Sequence, residues 1–214
     1  VIYSNIRKFV YYLISCNLAE IASIFIAILA GLPSPLTPLQ LLWLNLITDG
    51  APALALGMEK GDPDIMEHPP RPTEEPIINK RMRTGILIQT IAITAATLTA
   101  FFLGQRFYSD IPNAAGTMAF ITLSFSELLR AFTARSENLS LRKIGLFTNK
   151  WMVLAVAVSL VLLLAVTYLP FAQPIFSTVP LTWTQWEMIL PLLLLPSIAA
   201  EAAKYFTRRR NKKA

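Results

Sequence analysis

The sequence predicts an all-α integral membrane protein, a bundle of six transmembrane helices forming one membrane region over residues 1–214. Three observations carry this. Hydrophobic residues make up 54% of the chain and charged residues only 15%, with a mean hydropathy of +0.52, where a soluble domain carries about 25% charged residues. Six apolar segments, near 9–30, 38–57, 84–104, 114–134, 151–170 and 184–206, are long enough to span a bilayer, where a helix needs roughly 20 residues. The basic residues also fall in alternate gaps between those segments, as the loops of a multi-pass protein require.

The first span follows a flank holding Arg7 and Lys8 and ends at an uncharged, proline-rich turn, residues 31–37. The second contains Asn45-Leu46-Ile47-Thr48-Asp49-Gly50, with Pro52 two residues on. Gly50-Ala51-Pro52 should weaken the helix, because proline removes a backbone donor and frees a carbonyl. A polar loop, 58–83, follows with Pro63, Pro69, Pro70, Pro72 and Pro76; His68 within it has no ligand partner in sight. The third and fourth spans are joined by the short gap 105–113. The fourth carries Glu127 and Arg130, and the gap after it, 135–150, is basic. The fifth leads through the uncharged stretch 171–183 to the last span, which starts at a Trp-rich border. Near its inner end Glu201 is expected to pair with Lys204, one turn along.

Of the 19 basic residues, 18 fall on one side of the membrane in this arrangement and only Arg106 on the other. Both termini are therefore expected to be cytoplasmic, in a multi-pass protein of the cell (plasma) membrane. The net charge of +6 follows from the same bias and calls for no nucleic acid. The basic tail, 207–214, suits anionic lipid headgroups or is simply solvated. Cys16 has no second cysteine to pair with. The chain begins at Val1 rather than a methionine, which suggests a piece of a longer protein.

Most acids lie in loops or near borders, Glu59 among them, but Glu20, Asp49 and Glu127 sit about halfway along three different spans. A charge at that depth costs roughly 2.5–3.5 kcal/mol, which convergence on a cation would compensate. Asn17 and Glu20 are i, i+3, and Asn45, Thr48 and Asp49 are i, i+3, i+4, so each set shares a helix face. Carboxylates, carboxamides and hydroxyls are hard oxygen donors suited to calcium, which takes six to eight, and no His, Cys or Met cluster offers a softer alternative. Taken alone, Asn17 or Asn45 reads equally well as an interhelical hydrogen bond.

These residues resemble the C-terminal six-helix membrane region of a P-type cation-transporting ATPase, nearest the calcium pumps of the sarco/endoplasmic reticulum type and their bacterial relatives. Tyr12-Leu13-Ile14-Ser15-Cys16-Asn17-Leu18-Ala19-Glu20 is similar to the family's fifth transmembrane helix. The stretch Gln40-Leu41-Leu42-Trp43-Leu44-Asn45-Leu46-Ile47-Thr48-Asp49-Gly50-Ala51-Pro52-Ala53 is similar to its sixth. Asp64-Ile65-Met66 with Pro69-Pro70-Arg71 resembles the loop that follows, and Ser136-Glu137-Asn138 and Trp183-Thr184-Gln185-Trp186 are weaker matches.

The resemblance implies a first calcium site from Asn17, Glu20, Thr48, Asp49 and Glu127. It implies a second from Asn45 and Asp49, completed by a helix outside this chain. Calcium would be the transported ion. ATP and Mg2+ would act only through the actuator, phosphorylation and nucleotide domains, also outside the chain along with the N-terminal helices. The family's Asp-Lys-Thr-Gly and Thr-Gly-Asp-Gly motifs do not occur here, so no catalytic residue is expected and the chain alone should not hydrolyse ATP. The loop 58–83 would touch the catalytic domains. Asn45 favours calcium over sodium/potassium pumps, and Glu20 disfavours the calcium/manganese branch. The alternatives are a segment for another cation (Mn, Na or K), a free-standing six-helix cation channel or carrier, and a structural membrane subunit.

Arg130 stands where the reticulum pumps carry Asn. It is expected to snorkel to the cytoplasmic interface, with a second possibility that it reaches Glu127 one turn away and replaces one bound cation.

Overall fold

The computed structural model describes residues 2–60, 76–136 and 139–211, except the side chains of Arg142 and of residues 206–211. The loop signatures at Asp64-Ile65-Met66 and Pro69-Pro70-Arg71, His68, Glu137 and Asn138, and Lys212 and Lys213 lie outside the described residues.

The described residues are helical, with no strand. Helix α1 (Ile2–Leu29) stops at Gly31, whose φ of +73° suits glycine. Leu32 N–H donates to the Ala27 carbonyl and Gly31 N–H to that of Ile28, both at 3.0 Å, so the helix end closes as a Schellman motif. Six residues later Thr37 starts the next helix through a capping box: Gln40 N–H donates to Thr37 Oγ1 (3.3 Å) and Thr37 N–H to Gln40 Oε1 (2.9 Å), with Pro38 as the first helical residue. The Gln40 amide also donates to the Phe176 carbonyl (2.9 Å) across the bundle end.

This second crossing is broken. It runs as α2 (Pro38–Trp43), a π-helical turn (Leu44–Thr48) and α3 (Gly50–Gly57). Asp49 N–H reaches back five residues to the Leu44 carbonyl (2.8 Å). The break lies one turn before Gly50-Ala51-Pro52. Proline is tolerated in the first turn of a helix, where no intrahelical donor is missed, so Pro52 sits inside the start of α3 and the irregularity shifts upstream to Asp49.

Asparagine caps open two later helices: Met82 N–H donates to Asn79 Oδ1 at 2.8 Å for α4 (Lys80–Phe107), and Met152 N–H to Asn149 Oδ1 at 3.0 Å for α7 (Lys150–Tyr168). Between them lie α5 (Ala114–Ala134) and the single turn α6 (Leu141–Ile144); α8 (Gln173–Phe176) and α9 (Trp183–Asn211) complete the chain. The helices α1 and α4 run past the apolar segments that announced them, because their polar ends are capped or buried rather than unwound.

Among the described residues, five stretches are long and apolar enough to cross a membrane: Ile2–Leu29, Pro38–Gly57, Lys80–Phe107, Lys150–Tyr168 and Trp183–Tyr205. The sixth expected span, α5, is long enough at 21 residues but falls outside that set. It carries Glu127, Arg130 and a run of Ser and Thr, and 17 of its residues are buried. It packs against α1, α3, α4, α7 and α9, so its polar groups meet protein. The outer helices present large apolar residues outward, as in the stripe Trp151, Leu154, Val158, Val161 on α7, which is the surface a lipid solvent favours. Helices α4 and α5 approach closely where Gly104 meets Ala115; a Cβ on Gly104 would collide with the Ala115 backbone.

Candidate cation site

Helix α1, the broken α2–α3 crossing and α5 bring together the three mid-span acids. Asp49 and Glu127 are fully buried and Glu20 is 4% exposed. Glu20 Oε2 accepts from the Asn45 amide (3.1 Å), and Asp49 Oδ1 accepts from the Tyr12 hydroxyl (2.8 Å). The remaining oxygens are unmatched: Glu20 Oε1, Asp49 Oδ2, Thr48 Oγ1 and both Glu127 oxygens are buried with no hydrogen-bond partner. Each such group costs about 1–3 kcal/mol, more when charged. Five of them on residues singled out as ligands make a polar cluster that its own protein groups do not satisfy.

The break in the second crossing places these groups. The π turn ends at Asp49, and proline at 52 leaves the Thr48 carbonyl without its usual helical donor. The Tyr12 hydroxyl lies 3.5 Å from that carbonyl, and Ser159 Oγ donates to the neighbouring Ile47 carbonyl (2.9 Å). Irregular backbone at membrane depth is tolerated where it is buried or lines a site.

Among the six residues, Asn45, Thr48, Asp49, Glu20 and Glu127 fall on the three helices at the cluster. Asn17 stands apart. It is half-buried and donates to the Leu13 carbonyl one turn back on its own helix (2.8 Å). Asn45 makes the interhelical bond its residue type suggested, but to a carboxylate, and the residue is itself exposed.

Two expectations are corrected. Cys16 belongs to the cluster: its sulfur and carboxylate oxygens of Asp49 and Glu127 lie within 4.8 Å of one another. A softer donor is therefore present beside the hard ones. Tyr12, Cys16 and Glu20 recur every four residues on α1, a spacing that could have shown the shared face. Arg130 does not snorkel. It is 1% exposed, lies 4.3 Å over the Tyr11 ring and donates to Thr133 Oγ1 (3.0 Å). Its Nε and Nη2 have no hydrogen-bond partner. Because α5 is enclosed by other helices, the aqueous interface is out of reach, and an aromatic face takes the place of water. Nor does it hydrogen-bond Glu127, whose oxygens are both free.

A second polar node lies at the end of α3. Glu59, expected to be an ordinary border residue, is buried and paired in bidentate fashion with Arg135 (2.8 Å for both bonds). Arg135 also donates to the carbonyls of Gly145 and Leu146 and to Thr148 Oγ1. Asn149 donates to Glu59 Oε2, and Asn5 to the Glu59 carbonyl. On α9, Lys204 pairs with Glu201 (3.2 Å), as the spacing suggested, and donates to the Thr133 carbonyl (2.8 Å).

A family model described as cation transporting ATPase, C-terminus, matches residues 33–206. The chain belongs to this family. The cation-ATPase segment is 36% identical to calcium-transporting ATPase 1 of Bacillus cereus over 95% of its length, and 37% identical to a calcium-transporting ATPase of Bacillus subtilis over 98%. It is 33% identical to an endoplasmic reticulum calcium ATPase of Aspergillus fumigatus over 97%. It spans about a quarter of the length of each: 24%, 23% and 24%. Cation-ATPase membership fits the all-α bundle of a multi-pass membrane protein.

Proposed function

We propose that this chain is the ion-carrying membrane segment of an ATP-driven calcium pump, with both termini cytoplasmic in the cell membrane. The observation that carries the reading is the group of five unpartnered, buried oxygens on Glu20, Thr48, Asp49 and Glu127. A calcium ion among them would supply what the protein does not. The donors are all oxygens of the kind calcium prefers, and the relatives that match nearly the whole chain are named as calcium-transporting ATPases.

Asp49, at the junction of the π turn and α3, would bridge two ions or two halves of one site. Asn45 and Glu20 form its open side, and Asn45 is exposed, which leaves room for ligands from a helix outside this chain. Asn17 would have to leave its Leu13 bond to join. ATP and Mg2+ would act in the actuator, phosphorylation and nucleotide domains. Those domains would move the helices through the cytoplasmic ends, where Glu59 and Arg135 lock α3 to the connection between α5 and α7.

The test is equilibrium binding of radioactive calcium to the full-length pump. Asp49→Asn should weaken binding on the order of hundredfold, because losing a buried charged partner costs about 2–5 kcal/mol. Calcium affinity within twofold of the parent would overturn the assignment.

A further inference from the structure

We infer that Cys16, Asp49 and Glu127 form a binding site for a thiophilic divalent cation of the zinc or cadmium kind within the candidate cation cluster. This rests on the reading of the cluster as a cation site, but not on calcium being its ion.

The Cys16 sulfur and oxygens of Asp49 and Glu127 already lie within 4.8 Å of one another, all three residues fully buried. Ligands about 2.0–2.3 Å from a tetrahedral zinc sit about 3.5 Å apart. Closing that gap takes side-chain rotation by little more than an ångström, and less for the larger cadmium ion. Cys16 does not stand alone: Asp49 Oδ2 and both Glu127 oxygens are buried without partners. Three protein ligands also leave a fourth position open, the arrangement of an exchangeable rather than a structural metal.

Calcium has little use for sulfur; it collects six to eight oxygens. Thiolates select softer ions. Cys16 is therefore the one donor in the cluster that distinguishes the two classes of cation. On binding, the thiol proton leaves to solvent and a sulfur lone pair forms the metal bond.

The experiment uses the full-length pump, titrated with cadmium alone and, separately, with radioactive calcium. X-ray absorption of the unmodified pump holding one equivalent of cadmium should show one sulfur among the nearest neighbours. Cys16→Ser should abolish that sulfur and lower the ratio of cadmium to calcium affinity at least tenfold, with Cys16→Ala as a second variant. A cadmium shell of oxygen and nitrogen only in the unmodified pump overturns the inference, as does an affinity ratio within twofold of the parent in either variant. A pump that binds cadmium through Cys16 but no calcium supports this inference while refuting the calcium reading.

Discussion

Arg135→Ala should be among the most damaging single changes outside the cation cluster. The wild-type guanidinium is fully buried and makes five hydrogen bonds: two to the Glu59 carboxylate, two to the carbonyls of Gly145 and Leu146, and one to Thr148 Oγ1. Truncation leaves the Glu59 carboxylate, 6% exposed, with only the Asn149 amide as a side-chain donor. Removing one partner of a buried ion pair costs about 3–5 kcal/mol. For this 214-residue segment unfolding as one unit, at about 2–4 °C per kcal/mol, its transition falls on the order of 10 °C. The companion change Glu59→Leu with Arg135→Leu removes both charges, and replacing a whole buried pair by apolar groups is often neutral. The assay is thermal unfolding of the detergent-solubilised pump for the parent, Arg135→Ala and the double variant. The double variant should be more stable than Arg135→Ala by about 2–3 kcal/mol. A single variant within about 2 °C of the parent, or a double variant no better than the single, would refute the argument that the pair is buried and mutually dependent.

Arg130→Asn is expected to raise the number of calcium ions bound per pump above that of the parent, counted by radioactive calcium at saturation. Three carboxylates set against one buried guanidinium leave the complement of a single calcium, and an unchanged count would rule out a built-in counter-charge. Gly104→Leu should lower Tm clearly, because its side chain would meet the Ala115 backbone between α4 and α5 and overpacking costs about 1–3 kcal/mol; Gly57→Leu, where nothing lies within 4 Å, serves as the control.

The bundle was legible because lipid imposes simple rules. Length and apolarity announced five of the helices, and the capping residues Thr37, Asn79 and Asn149 explain where three of the elements begin. The cluster was legible through Glu20, Asp49 and Glu127, since an acid in an apolar run is conspicuous. What composition could not reveal was which face of each helix the others cover. Arg130 lies only a few residues from its helix end, and sequence distance suggested water; the enclosure of α5 by its neighbouring helices decided otherwise. Cys16 looked like one more small apolar residue until the α2–α3 break carried Asp49 alongside it. Glu59 and Arg135 are 76 residues apart, and nothing local links them.

The burial of α5 also constrains how the protein is made. Glu127 alone would cost a solitary helix roughly 2.5–3.5 kcal/mol near the bilayer centre, Arg130 closer to the helix end adds a second charge, and the Ser and Thr residues lower its apolarity further. As an isolated segment α5 is a poor candidate for insertion. Its neighbours α1, α3 and α4 precede it in the chain, whereas α7 and α9 follow. The order of synthesis thus lets α5 enter against helices already in place and be sealed by those made later, so that the most polar span is never left to face lipid by itself.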